Sequence, residues 1–289
     1  MIKIIITGGC GFIGSNLALK LSKNKNYKII VIDNLSRYGS KNNLTKIKKI
    51  QNIEFHRIDL SNFKKLNLII KKHSNDLKAV FHLAAQVAVT TSIEFPIKDF
   101  NDNTISSLNL LESIRLNCKQ KPNIIYSSTN KVYGGLDNLG IKEKKLRYEI
   151  KNKKDIDENV NVDFHSPYGC SKGSADFYFQ DYNRIFGFKN YILRQSCIYG
   201  PLQYGIEDQG WVSWFISNAI KGKKINLYGN GKQVRDLLHI DDLISLYEKM
   251  IFSKKNYGVY NTGGGYINSV SLLEMLSYLE EISKIKVNY

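Results

Sequence analysis

The chain has 289 residues, 43% of them hydrophobic and 24% charged, with only 4 prolines. These proportions exclude a disordered chain, a proline-rich or collagen-like one, and a scaffold too small to bury its own core. Its 42 basic and 26 acidic residues leave a net charge of +16. The lysines are scattered (Lys46, Lys48, Lys49; Lys142, Lys144, Lys145; Lys151, Lys153, Lys154) rather than striped, the pattern of a solvated surface and not of a nucleic-acid footprint.

In chain order, Lys3–Thr7 reads as an apolar strand and Phe12–Ser22 as a helix, with Phe12, Ile13, Leu17 and Leu21 on one side. Apolar strands follow at Lys28–Ile32, Ile53–Ile58 and Ala79–Leu83, then a long helix over Phe100–Asn117 and a fifth strand at Asn123–Ser127. The charged stretch from Gly135 to Phe164 interrupts the alternation as a surface insertion. A helix over Pro167–Phe186 and a strand at Tyr191–Arg194 resume it. Helices over Trp211–Lys221, Asp241–Phe252 and Leu272–Glu281 and short strands at Ile225–Tyr228, Val234–Leu238 and Val259–Asn261 complete the chain.

Fully apolar strands alternating with amphipathic helices indicate an α/β fold, a Rossmann-like doubly wound parallel sheet. Residues 1–199 are expected to form the dinucleotide-binding domain, completed by a sheet segment near 233–258. Residues 200–232 and 259–289 are expected to form a smaller, interleaved C-terminal substrate-binding lobe. No apolar run approaches the ~20 residues of a membrane span. The four cysteines (Cys10, Cys118, Cys170, Cys197) contain no Cys-x-x-Cys pair, and the N-terminus is a strand rather than a signal peptide. A cytoplasmic protein without membrane association is expected. His56, His73, His82, His165 and His239 lack metal-ligand spacing, so no metal is expected.

The first strand runs straight into Gly8-x-x-Gly11-x-x-Gly14 and a helix. Glycines at this spacing allow a tight turn, close approach of backbone to a pyrophosphate, and close packing of helix on strand. The helix N-terminus then offers free N–H groups to the anion. Asp33, closing the second strand, suits the ribose hydroxyls and repels a 2′-phosphate, favouring NAD over NADP. Arg37 nearby could offset that preference. Asp59, closing the third strand, can meet the adenine amino group or equally serve as a turn-forming aspartate.

Tyr168-Gly169-Cys170-Ser171-Lys172 opens a helix and puts Tyr168 and Lys172 on one face. A lysine beside a phenol lowers the phenol's pKa from about 10, and a phenolate can take a substrate proton as the neighbouring carbon gives up hydride. Ser127-Ser128-Thr129 ends the fifth strand, with Thr129 placed to hydrogen-bond the reacting oxygen.

With these residues in view, the whole chain resembles the extended short-chain dehydrogenases/reductases of the NAD-dependent nucleotide-sugar epimerase/dehydratase family. The resemblance also rests on His82-Leu83-Ala84-Ala85-Gln86, Asn103, Leu193-Arg194, Tyr199-Gly200-Pro201 and Arg235-Asp236. It implies that Thr129, Tyr168 and Lys172 are catalytic. It implies NAD contacts at Gly8, Gly11, Phe12, Ile13, Gly14, Asp33, Asn34, Ser36, Arg37, Asp59, Leu60, Leu83, Ala84, Ala85, Gln86, Asn103, Ser127, Tyr168 and Lys172. Substrate contacts are implied at Gln86, Thr90, Thr129, Asn130, Cys197 and Arg235, with Arg235 on the nucleotide diphosphate. A homo-oligomer is expected. Members of the family run on past the position of Tyr289, which reads as lying within a strand, so an incomplete substrate lobe is expected.

Family dehydratases carry acidic residues just after the strand-5 hydroxyl. This chain has Asn130 and Lys131 there, and neither can act as that general acid. Epimerisation of a nucleotide sugar remains. Within the family the resemblance is to the subgroup that inverts C2 of a CDP-linked sugar. A C4 epimerase and a catalytically silent NAD-binding regulator or nucleic-acid binder are the alternatives.

Overall fold

The computed structural model describes residues 1–136, 139–151, 156–255 and 257–289. Lys153 and Lys154, counted above among the scattered lysines, lie outside the described residues. The strands are β1 (Ile2–Thr7), β2 (Tyr27–Asp33), β3 (Ile53–Arg57), β4 (Leu77–His82), β5 (Asn123–Thr129), β6 (Ile141–Glu143), β7 (Tyr148–Ile150), β8 (Lys189–Gln195), β9 (Cys197–Tyr199), β10 (Val234–His239), β11 (Tyr257–Thr262) and β12 (Ser269–Ser271). The α-helices are α1 (Phe12–Leu21), α2 (Ser40–Ile47), α3 (Phe63–His73), α4 (Val89–Glu94), α5 (Pro96–Phe100), α6 (Ser106–Asn117), α7 (Ser166–Phe186), α8 (Trp211–Ile220), α9 (Ile240–Ile251) and α10 (Leu272–Ser283).

Seven parallel strands form the central sheet in the order β11-β8-β5-β4-β1-β2-β3. The order reverses between β1 and β4, and a crevice opens beyond the carboxyl ends of strands at such a point. Side chains alternate across the pleat. Ile4, Ile6, Ile29 and Val31 therefore pack with Leu17 of α1, Ile47 of α2 and Tyr247 of α9 on one face. Ile5, Ile30, Ile32 and Ile124 pack with Ile70 of α3, Leu111 of α6 and Phe179 of α7 on the other. This double covering is why the strands read as uninterrupted apolar runs.

The second lobe is smaller. It contains a three-stranded sheet, β12-β10-β9, and a cluster in which Phe215 and Ala219 of α8 meet Ile225, Leu276 of α10 and Val287. The insertion is more ordered than its charge suggests. Strands β6 and β7 pair antiparallel, Arg147 Nη2 donates to Ser269 Oγ at 2.8 Å, and the Tyr148 amide donates to Lys232 O at 2.9 Å. Residues 137–138 and 152–155 of this insertion lie outside the described residues.

Several expectations are corrected. Most of the segment near 233–258 stays out of the main sheet: β10 pairs with β9 and β12, α9 covers the central sheet, and only Tyr257 and Gly258, the start of β11, join it. The edge strand is β11, whose last residues the sequence reading places in the substrate lobe. Residues 225–228 form no strand, and neither do residues 284–289; there the Ile225 amide instead donates to Asn288 O. The long helix expected over Phe100–Asn117 is present and continuous; it starts earlier, at Pro96, and contains a π-helical turn (Asn101–Ile105) between α5 and α6.

Candidate active site

The crevice at the β1/β4 reversal is lined by Gly8, Gly11, Phe12, Ile13, Gly14, Asp33, Asn34, Ser36, Arg37, Asp59, Leu60, Leu83, Ala84 and Ala85. The glycine spacing has distinct causes at two positions. Gly8 has φ +67°, and a Cβ there would lie 2.6 Å from Ala84 N. Gly14 sits where α1 crosses β1, and a Cβ would lie 2.3 Å from Gly8 O. Both neighbours are backbone and cannot yield. The first turn of α1 thus opens its N–H groups onto the crevice.

Asp33 is nearly buried. Its carboxylate accepts from Cys10 N at 2.9 Å and Leu35 N at 2.7 Å. Burial raises its pKa, and backbone donors from Leu35, Cys10 and Gly11 oppose the rise. Asp59 accepts from Asn34 Nδ2 at 2.9 Å, so the ends of β2 and β3 are tied together at the crevice wall. Arg37 also lines it, its pKa lowered by burial.

Thr129, Tyr168 and Lys172 converge from two elements. Thr129 ends β5. At the start of α7, Ser166 holds φ +69° and Pro167 follows at the helix N-terminus, a sequence that fixes the chain's approach. The Thr129 side chain hydrogen-bonds Tyr168. Lys172 Nζ donates to Ser127 O at 2.6 Å and lies 4.4 Å from the Tyr126 ring centroid. Burial pushes the Tyr168 phenol up to about 12, with Thr129 opposing. Burial pushes Lys172 down to about 7, with Asp176 and Asp99 opposing. The expected lowering of the phenol by its lysine is not seen in the protein alone. Desolvation of the buried phenolate dominates, and the nearby Asp99 carboxylate adds to the rise.

A buried polar web supports this pair, and its centre, Asp99, escaped the sequence reading. Asp99 is 1% exposed and accepts from Gln86 Nε2 at 2.9 Å and Asn103 Nδ2 at 3.1 Å. The Ser171 hydroxyl also donates to it. Asn103 in turn receives the Gln86 amide at 2.9 Å. The π-helical turn brings Asn103 to this web, a frequent use of such turns. Beneath it, His82 bonds Thr7 Oγ1 at 2.8 Å and Ser107 Oγ at 2.9 Å, as expected of a satisfied core histidine. Thr90, by contrast, is exposed on α4.

Toward the second lobe, Asn130 is exposed, while Cys197 and Arg235 are half-buried. Lys131, Arg235 and Cys197 interact electrostatically. Burial and then Arg235 lower the Lys131 pKa, and burial raises the Cys197 thiol. Leu202, Gln203, Tyr204, Gln209 and Gly210 also line the crevice, although nothing in their local spacing signals it. Asn16 Nδ2 donates to Pro201 O at 2.8 Å and Asn43 Nδ2 to Leu202 O at 3.3 Å. Tyr204 packs edge-on against Tyr38 at 6.0 Å. This distant segment is thereby held across the crevice mouth.

The sequence matches the model of the NAD dependent epimerase/dehydratase family over residues 4–263. The chain is 46% identical to a CDP-paratose 2-epimerase of Salmonella typhi over 99% of its own length and 86% of that protein. It is 34% identical to a protein of Methanocaldococcus jannaschii described as a putative UDP-glucose 4-epimerase, over 93% of this chain and 79% of that one. The crystal structure of UDP-glucuronic acid 4-epimerase from Bacillus cereus, in complex with UDP-glucuronic acid and NAD, superposes with a TM-score of 0.82 at 29% identity. That match covers 99% of this chain and 85% of the other.

Proposed function

The chain belongs to the NAD dependent epimerase/dehydratase family, and from that premise we propose that it interconverts CDP-paratose and CDP-tyvelose by inverting C2 of the sugar. It is an NAD-dependent nucleotide-sugar epimerase. The observation that carries the finer reading is the 46% identity to a CDP-paratose 2-epimerase over nearly the full chain. Asn130 and Lys131 beside the strand-5 hydroxyl point the same way, since elimination of water would need carboxylates there.

The crevice suits NAD on physical grounds. Its two tight glycines let the turn close against the Leu83–Ala84 backbone and α1 close against the turn, so that the N-terminus of α1 faces the crevice, and Asp33 presents a carboxylate at the ribose end. In this reading Gly8, Gly11, Phe12, Ile13 and Gly14 hold the pyrophosphate. Asp33, Asn34, Ser36 and Arg37 hold the ribose, and Asp59 and Leu60 the adenine. Leu83, Ala84, Ala85, Gln86, Asn103 and Ser127 line the path to the reaction centre. Bound there, NAD would supply reversible hydride acceptance at the sugar carbon.

The remaining chemistry belongs to the protein. Tyr168 takes the proton of the sugar hydroxyl and later returns it. Thr129 hydrogen-bonds the same oxygen and orients it. Lys172, fixed by Ser127 O, supplies positive charge beneath the phenol when protonated. A phenol with a pKa near 12 needs such charge to act as a base at neutral pH. Arg235 and Lys131 attract the nucleotide diphosphate, while Gln86, Thr90, Asn130 and Cys197 flank the sugar.

The central sheet with its covering helices forms the NAD-binding unit in this reading. The three-stranded sheet with α8 and α10 forms the substrate lobe. We place the enzyme in the cytoplasm; no helix among the described residues is long and apolar enough to cross a membrane. Ile93, Ile97, Phe177 and Ile185 on the adjoining helices α4, α5 and α7 are exposed, which suits a homo-oligomer. The test is incubation with CDP-paratose and, separately, UDP-glucose, with products read by NMR. Conversion of CDP-paratose to CDP-tyvelose is expected. Conversion of UDP-glucose at C4, with CDP-paratose untouched, would establish the C4 epimerase instead.

A further inference from the structure

On the outer edge of the central sheet, away from the reaction centre, three potential ligands converge. Glu54 and His56 alternate along β3 and so share one face. His73 closes α3 above them. Their ligand atoms all lie within 4.8 Å of one another. His56 Nε2 stands 2.9 Å and His73 Nε2 3.4 Å from the same oxygen, Glu54 Oε1. A second observation is independent of this proximity. His73 is 4% exposed, and its Nε2 is buried with no hydrogen-bond partner. An imidazole nitrogen left in this state, aimed at a carboxylate, is costly unless something occupies the gap.

We propose that Glu54, His56 and His73 form a binding site for a divalent transition-metal ion such as Zn²⁺. Two imidazoles and a carboxylate suit that ion, whose ligands sit about 2.0–2.2 Å from it in a tetrahedron. The 3.4 Å separation of His73 and Glu54 matches the edge of such a tetrahedron, while His56, now hydrogen-bonded to Glu54 at 2.9 Å, would draw back by about half an ångström to ligate, leaving the fourth position to water. Lys72 Nζ now sits 2.7 Å from Glu54 Oε1, where the ion would bind. Its side chain is 60% exposed and free to swing into solvent. Lys28 Nζ holds the other oxygen, Oε2, at 2.9 Å and keeps the carboxylate aimed, as outer partners of metal ligands do. The ion would clip the edge strand β3 to the end of α3.

The test uses tag-free, chelator-stripped full chain, titrated with Zn²⁺ by calorimetry and with Co²⁺ by visible absorption. One ion per chain is expected, with the absorption of a tetrahedral Co²⁺ centre. His56→Ala and Glu54→Gln should each weaken binding at least about tenfold. Lys72→Met removes the competing ammonium and should tighten it. The proposal is overturned if the wild type takes up no ion saturably, or if uptake is indifferent to His56→Ala and Glu54→Gln. Circular dichroism of the variants separates lost ligation from lost folding. His56 and Glu54 are partly exposed, so their replacement leaves no buried cavity.

Discussion

At the scale of single residues, the account rests on Tyr168 being the proton acceptor. Tyr168→Phe removes one hydroxyl and little volume, so NAD should remain bound while turnover falls by roughly 10²–10⁴-fold, the usual contribution of a general base. Single-turnover kinetics on the holoenzyme measure this, and near-normal turnover would move the chemistry elsewhere. Tyr168 and Lys172 were legible in the sequence because a helix places residues four apart on one face. Asp99 was not. Asn103 lies four residues along the same helical run, but Gln86 and Ser171 come from segments that only folding brings to Asp99. The direction of the phenol's pKa shift is illegible for a related reason: the motif displays the lysine but not the burial and the Asp99 carboxylate that raise it.

At the scale of elements, the apolar strands were legible because both faces of the sheet are covered. Short or polar elements were not. The hairpin of β6 and β7 is held by contacts to Lys232 and Ser269 that lie far away in sequence. Strand β11 is identified as the sheet's edge only by its pairing with β8. The glycine turn was legible, and it makes a sharp prediction. In Gly14→Ala the new methyl meets Gly8 O and Gly9 Cα, so α1 must move off β1. Stability should fall by about 1–3 kcal/mol, and NAD affinity should fall with it, as read by denaturant titration and calorimetry. Unchanged NAD affinity would contradict the close approach of helix and strand.

His82 links strand β4 to β1 and α6, and burial lowers its pKa from 6.5 to about 3. Between those values the unfolded chain binds a proton that the folded chain refuses. Stability from this group is therefore full above pH 6.5 and declines as pH falls toward 3, by at most about 1.4 kcal/mol per pH unit. His73 acts in the same direction, and the raised carboxyls of Asp33 and Asp99 act in the opposite one. The comparison of wild type with His82→Gln isolates the histidine. Urea denaturation between pH 7 and 5 should give a flatter pH dependence in the variant. Equal slopes would mean that His82 titrates normally.

At the scale of the whole molecule, the sheet reversal and the glycine turn build the crevice proposed for NAD, and the β5–α7 pair sets Thr129 and the proposed proton acceptor Tyr168 at the carboxyl end of the same sheet. The central claim is that the sugar carbon presented there is C2. Its hydroxyl must reach Tyr168 while its hydrogen faces the cofactor. The most direct measurement is turnover of CDP-paratose carrying deuterium at C2, compared with the same sugar labelled at C4. The account predicts slower turnover with the C2 label, deuterium retained at C2 of the product, and normal turnover with the C4 label. An isotope effect at C4 with none at C2 would contradict it.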